Sequence, residues 1–465
     1  MSDFTRQFVS QQHLGALERR AGLSLALIYA FRMFGLFLIL PVFALHAETL
    51  PGATPFLAGL AIGVYGLTQA LLQIPFGRLS DRIGRKPVIA AGLLLFAAGS
   101  LVAAYADSIT GIIIGRALQG SGAIAAALMA LAADLSREEH RTKMMALIGA
   151  SICAAFASSM VLAPMISAWV GLSGIFEITA LLAVAGLLIL FLLVPNPVVT
   201  KFHRDAEVDA SSLASVLKSA DLLRLDAGIF ILHFSLMCAF LVVPLMLRDI
   251  AGIASAGHWK VYLPVFVGSL VLMLPFVVLA ERKRQIKPVF IAAIAVLAGA
   301  LWVVGNSHNA VSLIGGLLLF FAAFNLLEAS LPSLVSKVAD ARHKGTAMGV
   351  YSSSQFLGAF AGGAAGGAAH GAWGNAGALW LALGAVLLWL AIAVFMNKPR
   401  QLSTYLLNID GAGEVSEAAL LAVPGVVEAA VIREDGIAYL KIEKRILDEQ
   451  KLLSFASSAT RQSNR

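Results

Sequence analysis

Apolar runs of about 20 residues recur along this 465-residue chain, each long enough to cross a hydrocarbon core of about 30 Å as a helix. Inside lipid every backbone N–H and C=O must be satisfied within its own segment, so a run of this kind reads as a helix. Twelve such spans fall at roughly 23–45, 56–77, 88–106, 110–133, 143–169 and 175–195, then 226–248, 261–281, 289–306, 311–336, 345–370 and 376–397. Only 13% of the residues are charged, about half the share of a soluble globular chain. The sequence therefore describes an all-α, twelve-helix membrane protein.

The connections alternate in charge. Those after even-numbered spans hold Arg78, Arg82, Arg85 and Lys86, then Arg137, Arg141 and Lys143, then Lys201, Arg204, Lys218 and Arg224, then Arg282, Lys283, Arg284 and Lys287, then Lys337, Arg342 and Lys344. Opposite them stand only Arg248 and Lys260. Cytoplasmic loops carry the Lys/Arg excess, so the even-numbered loops and both termini are expected in the cytoplasm. The net charge of +7 is thus a topology signal and speaks against a nucleic-acid partner. The two cysteines, Cys153 and Cys238, lie inside apolar runs and suggest neither a disulfide framework nor a metal cluster. Residues 1–22 are polar and mixed, without the apolar core and cleavage site of a secretory leader, and read as a cytoplasmic tail.

The chain also repeats itself at about 200 residues. "PFGRLSDRIGRKPV" (75–88) aligns with "PFVVLAERKRQIKPV" (275–289), placing Pro75, Asp81 and Arg82 on Pro275, Glu281 and Arg282. Equivalent segments lie six spans apart, so the halves share one orientation, and a substrate path is expected between them. The reading gives a six-helix bundle at 23–195, a connecting loop at 196–225 and a second bundle at 226–397. Within the loop, "SSLASVLKSADLLR" (211–224) reads as a short amphipathic surface helix, a flexible linker being the other possibility.

"GRLSDRIGRKPVI" (77–89) resembles, at every defining position, the signature between spans 2 and 3 of the major facilitator superfamily, and "RALQGSGA" (116–123) resembles its fourth-span motif. "HWKVYLP" (258–264), "AFNLLEASLPSLVSK" (323–337) and "KGTAMGVYSSSQFLG" (344–358) carry a narrower resemblance, to the YajR-type proton-driven exporters of the bacterial inner membrane. The resemblance implies a conformational latch built from Gly77, Asp81, Arg82, Gly84, Arg85, Lys86 and Asp134, with Asp81, Arg85 and Asp134 forming a charge relay. It also implies that Asp81 meets the start of span 11, near Lys344–Met348, when the cytoplasmic side is closed. A carboxylate suits such a place, because a helix N-terminus offers unpaired N–H groups and a favourable dipole. For Arg78 and Lys86, plain topology signalling is an equal reading; acidic Asp81 contributes little to topology. The second-half copy keeps Glu281 and Arg282 but lacks both glycines, so a weaker latch is expected there. Span 5 departs from the exporter pattern: "VLAPMISAW" (161–169) keeps Pro164 but has Ala163 before it and Ser167 where glycine is frequent. In span 11, Gly358, Gly362 and Gly366 read first as helix-packing positions.

Ionisable residues within the membrane are costly, which makes Arg32, Arg116, His233 and Glu328 candidates for the proton or substrate path, with Asn325 one turn before Glu328. Arginine does not release its proton near neutral pH, so Glu328 and His233 are the titratable pair. A structural pair at Glu328 and a packing role for His233 are the plain alternatives.

After Pro399 the composition changes. Strands at 404–409, 426–432 and 436–442 and helices at 416–422 and 448–456 make a β-α-β-β-α unit, a small α+β ferredoxin-like cytoplasmic domain at 401–465. "VPGVVEAAV" (423–431) resembles small metal-binding domains of that fold. Their CxxC loop is replaced by "DGAGEV" (410–415), so thiolate metal binding is not expected. Regulation, sensing, self-association or a stabilising cap remain open for it. No nucleophile, metal or paired-carboxylate constellation suggests an enzyme or a cofactor. The leading expectation is a proton-coupled antiporter exporting small amphiphilic or drug-like molecules. A uniporter or importer, or a receptor signalling through the C-terminal domain, are the alternatives.

Overall fold

A computed structural model describes residues 15–196, 210–282, 285–340, 343–396, 403–409, 415–432, 437–443 and 446–455. Ten helices among them are long and apolar enough to cross a membrane. Two of these, Lys143–Leu192 and Lys344–Val394, run 50 and 51 residues. At about 1.5 Å per residue each would exceed twice the thickness of the hydrocarbon core. Each is broken by a glycine: Gly171 at φ 67°, ψ −168° and Gly374 at φ 68°, ψ −165°. That region of conformation is open essentially to glycine alone. The two breaks match in angle and lie one repeat apart, so the twelve apolar runs occupy ten helices by the same device in each half.

Two boundaries differ from the sequence reading. The first long helix starts at Ala16, inside the stretch read as tail, because Glu18 is anchored there. It accepts from the Arg137 N–H at 3.0 Å and meets His140 Nδ1 at 2.9 Å. The expected surface helix at 211–224 is instead Ala210–Lys218, followed by a new helix, Ala220–Asp249. Ser219 separates them and caps the second, its Oγ accepting from the Leu222 N–H at 3.5 Å. Val216 is buried while Leu217 and Leu223 are exposed, so these apolar residues do not share one covered face.

The described residues form two compact units. One is the helical body, which holds all the long helices apart from the segment 330–348 and the first turn of Ala220–Asp249. The other contains 210–225, 330–348 and the C-terminal domain. In that domain β1 (Ser403–Asn408), β2 (Val426–Ile432) and β3 (Ile437–Ile442) form an antiparallel sheet in the order β1-β3-β2, with Tyr405 and Ala429 both opposite Leu440. Leu407, Leu420, Val423, Leu440, Ile442 and Leu452 fill its core from the sheet and from helices Glu417–Leu421 and Glu449–Leu453. Burying such side chains stabilises the unit by about 1.5–3 kcal/mol each.

Candidate functional site

The loop signature forms a hinge between helices Pro55–Ile83 and Arg85–Ala104. Gly84, the one residue between them, has φ 98°, a conformation that a side chain would strain. It turns the chain so that Arg85 reaches back one helical turn to Asp81, with which it forms an ion pair. Arg85 Nη1 also donates to Ser80 Oγ at 2.8 Å, and its Nε to Asp134 Oδ2 at 3.4 Å. Asp81, Arg85 and Asp134 therefore make one continuous chain of contacts. Gly77 sits where a Cβ would come within 3.3 Å of Ala126, and Arg82 is exposed. The side chains of Glu281 and Arg282 lie outside the described residues.

Lys86 has a second task beside topology. Its Nζ donates to the Val194 carbonyl at 2.6 Å, two residues past the helical end at Leu192. Lys287, its repeat counterpart, donates to the carbonyl of Val394 at 2.9 Å, the last residue of the helix Lys344–Val394. Both lysines satisfy a carbonyl that the terminating helix leaves unpaired.

Deeper in the first half, Arg32 and Arg116 are each 1% exposed. Arg32 Nη2 donates to Gln69 Oε1 at 2.7 Å and to the Gly122 carbonyl at 2.9 Å. That carbonyl is available because the fourth span is not continuous. It divides into Ile109–Ser121 and Ala125–Asp134, with Gly122 packed so closely on Gly92 that a Cβ would collide with the Gly92 carbonyl. Arg116 donates to Gln119 Oε1 at 2.8 Å, and Gln119 in turn to Ser100 Oγ at 2.7 Å. The Tyr65 ring lies 5.9 Å from the Arg32 guanidinium and 5.1 Å from that of Arg116.

The second half carries the opposite charge. Gln355 Nε2 donates to His233 Nε2 at 2.9 Å and to Glu328 Oε1 at 3.1 Å. Using Nε2 as acceptor leaves the imidazole proton on Nδ1, which faces Glu328 Oε2 at 3.8 Å. The Glu328 side chain is half-buried, with 34% of its surface exposed. Phe324 flanks His233 with ring centroids 5.8 Å apart. Asn325 is not part of this cluster; it donates to Ser269 Oγ at 3.0 Å.

The halves meet through small residues. A Cβ on Gly59 would collide with the Gly363 carbonyl, and one on Gly63 would lie 2.8 Å from that of Phe360. Gly358, Gly362 and Gly366 face the other way, onto Phe230, Phe234 and Cys238. Pro164 is buried, and Ser167 bonds His46 Nε2 at 2.7 Å. Tyr65 touches Phe356 edge to face at 6.3 Å, which joins the arginine cluster to the residue beside Gln355.

Gln355, Gln69 and Gln119 were not among the residues the sequence singled out. Their signal was present: each is an uncharged amide inside an apolar span, where burial obliges it to find a partner.

Broken paired helices, a repeated lysine cap and opposite charges in the two halves describe a membrane protein built as a parallel repeat. Residues 25–363 match the Major Facilitator Superfamily, and the chain belongs to that family. It is 45% identical over 433 residues to the inner membrane transport protein YajR of Escherichia coli K12, covering 92% of this chain and 95% of that one. It is 27% identical to the multidrug resistance protein MdtH of Aeromonas hydrophila, over 78% of this chain and 91% of the relative. Among solved structures, a bacterial homolog of the human lysosomal transporter Spinster superposes with TM-score 0.69 at 12% identity, covering 83% of this chain and 98% of that one.

Proposed function

We propose that the protein is a proton-coupled exporter of small amphiphilic molecules, working by alternating access in a bacterial inner membrane with both termini cytoplasmic. The observation that carries this reading is the Glu328–Gln355–His233 cluster, a half-buried carboxylate linked through an amide to an imidazole. Proton entry neutralises Glu328, which frees Gln355 to rearrange on the helix that packs against the first half. Moving one charge through the membrane field supplies about 2.3 kcal/mol per 100 mV, enough to bias two access states. The names of the Escherichia coli and Aeromonas relatives, one an inner membrane transport protein and one a multidrug resistance protein, support location and direction. Asp81, Arg85 and Asp134 then act as the latch, engaged in one access state and released in the other.

The test is flux in proteoliposomes with an imposed pH gradient and a panel of aromatic amphiphiles. Wild-type protein moves substrate toward the acidic side against its own gradient. Glu328→Gln retains substrate exchange without a gradient and loses the gradient-driven component. Full gradient-driven transport by Glu328→Gln removes that residue from the mechanism, and wild-type flux indifferent to pH removes proton coupling.

A further inference from the structure

Arg32 carries a charge that its surroundings leave uncompensated. Its two contacts are neutral oxygens, both made by Nη2, and neither Nε nor Nη1 has a hydrogen-bond partner among the described residues. The rings of Tyr65 and Phe96, at 5.9 and 5.6 Å, soften the charge without accepting a hydrogen bond. Arginine stays protonated, so the site cannot escape by losing its proton. Arg116, the second cation beside the same tyrosine ring, also meets only neutral acceptors among the described residues: Gln119 and the Ala61 and Ile62 carbonyls. Folding thus desolvates two permanent cations side by side without an anion between them, an arrangement that costs stability unless something supplies the anion. At nearly the repeat-equivalent position the second half has His233, which needs no such partner when neutral.

We propose that Arg32 receives a carboxylate carried by the transported molecule, with Tyr65 and Phe96 flanking the aromatic part next to it. The proposal rests on the exporter reading and names the class of cargo: aromatic organic acids rather than amines. The open Nε and Nη1 hydrogens supply charge-assisted bonds, the strongest kind available to a neutral or anionic acceptor. Cargo then does for the first half what a proton does for the second. The carboxylate compensates Arg32, and the proton compensates Glu328, whose Oε2 accepts no hydrogen bond.

The test uses the full-length protein in detergent, without any gradient, and three aromatic frames: biphenyl, naphthalene and indole. Each carries in turn a carboxylate, a carboxamide or an aminomethyl group, and binding is read from thermal unfolding against ligand concentration. On at least one frame the wild type binds the carboxylate about tenfold more tightly than its amide or amine. Arg32→Gln loses that preference, and Arg32→Lys keeps part of it. Without ligand, Arg32→Gln unfolds no lower than the wild type, because it removes an unpaired buried charge. Equal or tighter binding of the amides or amines overturns the proposal. So do the absence of carboxylate binding, a preference that survives in Arg32→Gln, and a ligand-free Arg32→Gln that melts well below wild type, which would make Arg32 a structural clasp on Gly122. Amines that bind tightly and are driven by a pH gradient would leave the exporter reading standing while ending this one.

Discussion

Glu48 and Arg248 stand one repeat apart in the chain and hold each other across the two halves. Arg248 Nη1 donates to Glu48 Oε2 at 2.5 Å and Nη2 to Oε1 at 3.2 Å, while Asp249 steadies the guanidinium at 2.6 and 3.1 Å. The repeat offset is the same 200 residues that separates Pro75 from Pro275. The pair lies at the ends of the spans on the face poor in basic residues. The two halves are also joined where Gly59 and Gly63 bring two helices into backbone contact.

This pair is predicted to act as a lock that favours closure of that face. Both side chains are more than a third exposed, so solvent screens the pair and it contributes only about 0.2–1 kcal/mol. Glu48→Ala therefore shifts the closed-to-open ratio by about 1.4- to fivefold rather than abolishing transport. Distances between spin labels on the two halves at that face will show a larger open fraction. Glu48→Arg combined with Arg248→Glu returns it toward the wild type. An unchanged distance distribution in Glu48→Ala would show that the glycine contact alone sets closure.

The latch on the basic face is predicted to be asymmetric. Asp81 has Arg85 beside it, held in place by the positive φ of Gly84, and Arg85 also reaches Asp134. The second copy has Arg284 where that glycine would stand. Asp81→Asn lowers transport about tenfold or more, the equivalent of about 1.4 kcal/mol, whereas Glu281→Gln costs no more than about twofold. Side-by-side flux measurements decide it, and equal impairment would refute the asymmetry.

Much of this was legible in the sequence, for definable reasons. Apolar length fixed the spans, and the repeat aligned Asp81 with Glu281 and Lys86 with Lys287. The side-chain partners were harder to read. His233 and Glu328 are 95 positions apart in sequence. Nothing in the spacing says that Gln355, on a third helix, joins them. The break in the fourth span depends on Gly122 packing against Gly92, a contact between segments that periodicity along one helix cannot register. Basic residues were read for topology, and that reading concealed the carbonyl caps made by Lys86 and Lys287.

His46, in the short helix Phe43–Ala47 after the first span, gives a pH dependence. Burial holds its imidazole below the ordinary value of 6.5, so the folded protein keeps it neutral against Ser167 where the unfolded chain would bind a proton. The unfolded state then takes up more protons as the pH drops below 6.5, and stability falls with it. His46→Gln, which cannot titrate, flattens the part of the melting-temperature profile between about pH 5 and 7. A profile identical to that of the wild type would mean that His46 takes no part.

The C-terminal domain is predicted to act on the tenth span through one lysine. Lys441 of β3 is 6% exposed and pairs with Glu428 at 3.1 Å. Its ammonium also donates to the Ala339 carbonyl and to that of Lys337 at 3.4 Å, at the end of the helix Ala310–Val338. Those are carbonyls a helix terminus leaves unpaired, and a cation there also suits the dipole. Glu328 lies on that same helix, so the end the domain holds belongs to the element that carries the proposed proton site. Lys441→Met removes the cap and raises hydrogen exchange across 330–340 by about ten- to a hundredfold, matching the 1.5–3 kcal/mol of a charged hydrogen bond. Lys441→Arg keeps much of the protection. If Lys441→Met also changes the rate of gradient-driven transport, the domain regulates the transporter through this contact. If exchange rises and transport does not change, and removal of everything after residue 400 is equally silent, the domain is a stabilising cap.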